Sequence, residues 1–175
     1  MEEFVVLVDE KDNSLGLMEK QQAHVSGLLH RAFSVFVFNV KGELLLQQRA
    51  ASKYHSPLLW TNTCCSHPRE NESYIGAAHR RLKEEMGFDC ELEEKFKFIY
   101  KAKLDSELFE HELDHVFVGF FDGEIKINPE EVETYKWVTM EDLRSDIKFN
   151  SEKYTVWFQI ILDEYIAKLQ HESNY

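Results

Sequence analysis

Basic side chains are scarce in this sequence: 20 Lys and Arg stand against 32 Asp and Glu, a formal net charge of -12 over 175 residues. A broad nucleic-acid surface is excluded by that balance, because such surfaces are basic. An anionic small molecule can bind only where a few cations converge against the global field. Cysteine is rare too, and three of them make no disulfide framework. Two are adjacent, Cys64 and Cys65, and neighbours bridge only with strain, so reactivity is the better question for that pair. There are only three prolines, and no repeat, low-complexity tract or linker interrupts the chain, so residues 1–175 are expected to form one domain with a sizeable core. No apolar run approaches the roughly 20 residues that a membrane-spanning helix needs. The start, "MEEFVVLVDE", is acidic where a signal peptide would be basic. The reading is a cytoplasmic chain without a membrane partner.

Hydrophobic residues make up 43% and charged residues 30%, as in ordinary globular proteins. "FVVLVDEKDNSLG" reads as a strand running into a turn. "GLLHRAFSVFVFN" and "GELLLQQR" are rich in β-formers, and the Asn39–Gly42 turn between them predicts a hairpin. From Asn71 the period changes. Ile75, Ala78, Leu82 and Met86 recur at helical spacing, with Gly87 placed to end the helix. "EKFKFIYKAKL", "HELDHVFVGFF" and "KWVTM" alternate like strands, "MEDL" opens a short helix, and Tyr154 to Leu169 is amphipathic. Strands interleaved with helices imply an α/β or α+β sheet with helices on its faces.

Several side chains point to chemistry. "WTNTCCSHP" joins two thiols and the imidazole of His67. His24 and His30 stand six apart at the entrance to a strand. Glu110 and Glu112 are two apart in a strand-like run, so both carboxylates share one face of a sheet. Carboxylates pushed together repel unless something positive sits between them. Three imidazoles and two carboxylates suit Mn²⁺ or Mg²⁺, with Zn²⁺ also possible. In "RRLKEEMG", Arg81 precedes Glu85 by four residues. By periodicity alone that is a solvated helix face carrying an i,i+4 ion pair.

"RRLKEEMGF", preceded by Glu72, resembles the Nudix box. Glu72, Arg80, Leu82, Glu84, Glu85 and Gly87 match its pattern; Ser66 replaces its first Gly, and Arg81 replaces a Glu that a hydrolase uses for metal. Those departures, with "LLHRAFSVFVFN", "LLLQQR", "WTNTCCSHP" and "FEHELDHVF", resemble the type 1 isopentenyl-diphosphate isomerases from about Lys20 to Trp157. The resemblance implies an α/β Nudix fold, a mixed β-sheet sandwiched between helices. It also implies conversion of isopentenyl diphosphate to dimethylallyl diphosphate, in isoprenoid biosynthesis. His24, His30, His67, Glu110 and Glu112 would be the metal centre. Cys65 and Glu112 would be the catalytic pair, with Tyr100 near the acid/base group and Trp157 beside the isoprenoid chain. Mg²⁺ bound with the substrate would meet Glu85 and the backbone carbonyl of Cys65. Lys20, Arg49, Lys53 and Arg81 would bind the diphosphate. Cys64, Cys90, His55, His79, His111, His115 and His171 receive no part in this site.

Moving an unactivated double bond requires one proton added and another removed at different carbons. Two acid/base groups flanking a flat alkene meet that need. Competing functions are a hydrolase of nucleoside diphosphate derivatives, which the Glu84–Glu85 pair suggests, and a non-catalytic isoprenoid diphosphate binder.

Overall fold

The computed structural model describes residues 3–104 and 107–170, the last by its backbone alone; His171 lies outside them. Among the described residues nine strands form one mixed sheet. They are β1 (Phe4–Val8), β2 (Ser14–Glu19), β3 (His30–Phe38), β4 (Leu44–Arg49), β5 (Trp60–Thr61), β6 (Cys64–Ser66), β7 (Leu92–Lys103), β8 (Phe109–Phe120) and β9 (Val132–Val138). The helices are α1 (Lys20–Ser26), α2 (Tyr74–Met86), α3 (Met140–Asn150) and α4 (Val156–Gln170).

The centre is β3, apolar on both faces, as a strand covered from both sides must be. Phe33, Val35 and Val37 pack with Leu45 against Ala77, Ala78, Leu82 and Met86 of α2. Phe36 and Phe38, one residue out of phase, pack with Leu44 and Leu46 against Leu143 of α3 and Trp157, Phe158 and Ile161 of α4. The period-2 alternation of one strand therefore feeds two helical layers, and the sheet sandwiched between helices is borne out. Ser73 caps α2 by accepting from the Gly76 N–H at 3.1 Å. Gly87 ends that helix with φ +73, and a Cβ there would lie 2.2 Å from the Lys126 carbonyl oxygen. Only glycine suits both demands. Among the described residues no helix is long and apolar enough to cross a membrane.

The expected β3–β4 hairpin forms only at its base, where Phe38 faces Leu44. One edge of β3 runs parallel to β8 along its whole length, from His30↔Glu112 to Phe38↔Phe120. The other edge is shared in turn by β1 at His30, β6 at Phe33 to Val35, and β4 at Phe38. The strands splay because residues 62–64 enter between them, and side chains replace the missing ladder. Thr63 Oγ1 donates to the Leu45 carbonyl at 2.7 Å and accepts from the Val37 N–H at 2.9 Å. Asn62 Nδ2 donates to the carbonyls of Val35 and Cys64 at 3.1 and 2.8 Å. Thr63 is fully buried, so Thr63→Val would strand a carbonyl and an N–H at once. The expected cost is about 2–4 kcal/mol, read as a lowered midpoint in urea with unchanged slope. A loss below about 0.5 kcal/mol would contradict this account.

Candidate active site

The candidate centre is built on β8 and its two neighbours. Pairing in register sets His30 of β3 beside Glu112 on one side and Tyr100 of β7 beside it on the other. Tyr100 Oη donates to Glu112 Oε2 at 2.7 Å. His67 follows β6 and brings Nε2 within 3.0 Å of Glu112 Oε1, while His30 Nε2 stands 3.6 Å from the same oxygen. Glu110, two residues earlier, shares the face as expected and is buried with Glu112. His24 is the exception to its sequence reading: it lies on α1, a helix rather than a strand entrance. Glu19 caps that helix at its start and Gly27, at φ +62, ends it, which turns His24 into the interior. Its Nε2 comes within 3.5 Å of Glu110 Oε2.

These groups fit a divalent cation. One ligand atom each from His24, His30, His67 and Glu112 lie within 4.8 Å of one another. Among the described residues, His24 Nε2, His30 Nε2 and Glu110 Oε2 are buried with no hydrogen-bond partner. Three such atoms, two of them 3.5 Å apart, are costly unless a ligand satisfies them. The His30 Nδ1–H donates to the Leu28 carbonyl at 2.8 Å, which leaves the Nε2 lone pair for an ion. Burial lowers the imidazoles of His24 and His67 to about 3 and about 4, so both are neutral, as ligands must be. Burial and the charge of Glu112 push Glu110 far above the carboxylate range. For Glu112, burial acts upward, but the imidazoles of His30 and His67 beside it outweigh burial, and the group ends well below the carboxylate range. One proton thus resides on a pair that a cation would allow to ionise fully.

A cavity of about 320 Å³ opens beside this centre. Cys65, Glu112 and Trp157 line it, as do His67, Glu85 and Glu110. So do the four expected cations, Lys20, Arg49, Lys53 and Arg81. His24, His30 and Tyr100 stand behind its wall. Cys65 pairs with Ser34 of β3, so β3 runs between the strand of the thiol and the strand of Glu112. Burial raises the Cys65 thiol to about 12, against the opposing pull of Arg49. Cys64 takes the opposite face and joins the core under α2. Trp157 is held by its Nε1–H to Thr61 Oγ1 at 3.0 Å, and the Arg49 guanidinium lies 5.3 Å from the ring centroid.

Arg81 and Glu85 do form the i,i+4 pair, at 2.7 Å, but not on a solvated face. Glu85 is buried, because Gln47 of β4 covers it and donates to Oε2 at 2.7 Å. Arg81 also meets Glu131 at 3.1 Å, and Lys53 pairs with the same carboxylate. Lys20 pairs with Glu3 at 2.6 Å.

Two residues of the site escape sequence reasoning. Tyr54 and His55 lie on the loop after β4, and both line the cavity. Their loop has no period to read, and a fourth histidine 12 residues before His67 was the one available signal. Asp114 continues the alternation of Glu110 and Glu112 without lining the cavity; it is buried and accepts from Ser34 Oγ at 2.8 Å.

The NUDIX domain family matches residues 28–158. An isopentenyl-diphosphate Delta-isomerase 2 of Aromatoleum aromaticum is 52% identical over 167 residues, 95% of this chain and 88% of the relative. One of Photorhabdus laumondii is 56% identical over 163 residues, 93% of this chain and 92% of the relative. Among solved structures, a Deinococcus radiodurans protein aligns with a TM-score of 0.74 and 19% identity, over 93% of this chain and 99% of that one. A MutT protein from Methanosarcina mazei gives 0.66 and 17%, over 81% and 96%. The last two speak for the fold alone. Matched along most of its length at half identity, with the histidines, carboxylates and thiol around one cavity, the chain belongs to the NUDIX domain family and, within it, to the isopentenyl-diphosphate Delta-isomerases.

Proposed function

We propose that the chain moves the double bond of isopentenyl diphosphate to give dimethylallyl diphosphate. The observation that carries this reading is the shared cavity: a thiol and a buried carboxylate open into one space together with four cations. Cys65 Sγ keeps its proton at neutral pH, since burial raises it to about 12. Glu112 offers the second proton site, held in place by the Tyr100 hydroxyl and His67. A proton delivered to one alkene carbon and another taken from a different carbon leave the atom count unchanged, as an isomerisation requires. Trp157 and Phe33 supply the apolar part of the wall against water at the cationic carbon, and the indole face favours positive charge by roughly 2 kcal/mol once water is excluded.

Lys20, Arg49, Lys53 and Arg81 bind the diphosphate, so that binding energy orients the alkene. Arg81 explains the altered Nudix box: a carboxylate for a hydrolase's metal has become a guanidinium suited to phosphate oxygens. His24, His30, His67, Glu110 and Glu112 would hold Mn²⁺, Mg²⁺ or Zn²⁺, and Glu85 with the Cys65 carbonyl would hold Mg²⁺ of the diphosphate. When bound, these ions supply positive charge that neutralises the carboxylates and the diphosphate. A small-molecule isoprenoid diphosphate is thus the partner, and no nucleic acid is.

Incubation with isopentenyl diphosphate and Mg²⁺ in deuterated water tests the reading. The expected result is the acid-labile allylic isomer, with deuterium in the recovered pool. Neither conversion nor exchange, in protein loaded with Mn²⁺ or Zn²⁺ as well, would refute it. Release of nucleoside monophosphate from a nucleoside diphosphate derivative would point to the hydrolase instead.

A further inference from the structure

The loop between β4 and β5 sends two adjacent side chains to different members of the candidate metal centre. Tyr54 Oη is hydrogen-bonded to His24 Nδ1. His55 Nε2 stands 3.5 Å from Glu110 Oε1. The loop is itself tied down. The Arg49 guanidinium donates to the carbonyls of His55 and Ser56 at 3.2 Å each, and Ser56 and Leu58 take left-handed backbone at φ +49 and +60. The His55 ring is buried, set edge-on to Trp157 with centroids 5.9 Å apart.

The proton arrangement follows from one rule: a neutral imidazole has one N–H and one lone pair. If His24 donates from Nδ1 to Tyr54 Oη, its lone pair sits on Nε2, the buried atom without a partner. In His55 the Ser56 hydroxyl, 3.4 Å from Nδ1, can donate there and leave the Nε2–H facing Glu110 Oε1. The other Glu110 oxygen, Oε2, has no hydrogen-bond partner and is 3.5 Å from His24 Nε2. Fixing one oxygen of a carboxylate presents the other. Groups that orient ligands in this way govern metal affinity.

We propose that Tyr54 and His55 are positioning residues of the metal centre, Tyr54 setting the tautomer of His24 and His55 setting the orientation of Glu110. His55 is not one of the ligating set, since its Nε2 carries the N–H that faces Glu110 Oε1 and so offers an ion no lone pair. The inference rests on the metal role given to those residues and Glu110.

Mn²⁺ affinity of the full chain, measured by chelator competition, tests it. His55→Ala is expected to weaken binding by about 10- to 100-fold and Tyr54→Phe by about 10-fold. His55→Gln, whose amide can donate to Glu110, should recover most of that loss. Turnover of His55→Ala should climb back as Mn²⁺ is raised, with KM for the isoprenoid diphosphate unchanged; a merely structural role would not respond to the ion. Thermal melting of the metal-free variants identifies any that fail to fold, and Tyr54→Phe, which keeps the ring, serves if His55→Ala does. His24→Ala is the reference. Wild-type affinity in His55→Ala and Tyr54→Phe, beside a large loss in His24→Ala, overturns the proposal alone. Wild-type affinity in His24→Ala overturns the metal centre itself. A loss in His55→Ala beyond about 10³-fold, with none recovered by glutamine, would make His55 a ligand and also overturn the positioning role.

Discussion

Cys65→Ala is expected to lower turnover of isopentenyl diphosphate by about 10³-fold, within the range that a positioned proton donor or acceptor contributes. KM should change little, because alanine leaves in place the four cations that grip the diphosphate. The argument starts from β6. Antiparallel pairing of Phe33 to Val35 with Cys64 to Ser66 fixes the backbone, and alternation then sends the two sulfurs to opposite faces of the sheet. Cys65 reaches the cavity; Cys64 enters the core beneath α2. Burial holds the Cys65 proton up to about 12, so the group enters each turnover as a thiol and is a weak nucleophile at neutral pH. Alanine removes the proton carrier while leaving the strand pairing intact, and the folded protein should melt within a few degrees of the wild type. Cys64→Ala is the contrasting variant, with a cost of about 1 kcal/mol in packing and a far smaller loss of turnover. Steady-state rates with both isomers, together with deuterium uptake, decide the matter. Turnover of Cys65→Ala within tenfold of the wild type would remove the thiol from the mechanism.

The same strand shows why some of this was legible in the sequence and some was not. Cys65, His67, Glu110 and Glu112 stand in short motifs whose resemblance to a family supplied their roles, and the two-residue period of β8 placed both carboxylates on one face. The long helix α2 announced itself through Leu82, Met86 and Gly87. Signals of that kind need length. With seven residues, α1 has no apolar period of its own, and β5 and β6 have two and three residues. The hairpin expected between β3 and β4 stops at its base for a related reason. Its turn was read correctly, but the side chains of Asn62 and Thr63 compete for the ladder hydrogen bonds. Nothing in local propensity records that a threonine 18 residues away will accept and donate between two strands. The spacing of Arg81 and Glu85 revealed a pair, yet their burial depends on Gln47 and Glu131, which come from other parts of the chain. Tyr54 and His55 depend likewise on a loop held by Arg49, so tertiary contacts alone assign them.

Glu112 carries two duties in this site, and substitution separates them. Glu112→Gln is expected to lose about 10²- to 10⁴-fold in turnover, and adding Mn²⁺ should not restore it. Glutamine has nearly the same shape but cannot exchange a proton at its carbonyl oxygen near neutral pH. Its amide also puts an NH₂ donor where one acceptor oxygen stood, opposite either the Tyr100 hydroxyl, which donates to Oε2 at 2.7 Å, or His67 Nε2, 3.0 Å from Oε1. Glu110→Gln tests the other duty. Among the described residues Glu110 has no hydroxyl partner of the Tyr100 kind and faces the imidazoles of His24 and His55, so its loss should weaken Mn²⁺ binding by about 10- to 100-fold. Turnover in that variant should recover as the ion is supplied in excess. Tyr100→Phe falls between them, with a loss of about tenfold from one missing hydrogen bond to a charged acceptor. Recovery of Glu112→Gln by added Mn²⁺, in parallel with Glu110→Gln, would mean that Glu112 serves the metal alone. The second proton site would then have to be sought elsewhere on the cavity wall, where Glu85 and Glu110 are the other buried carboxyls.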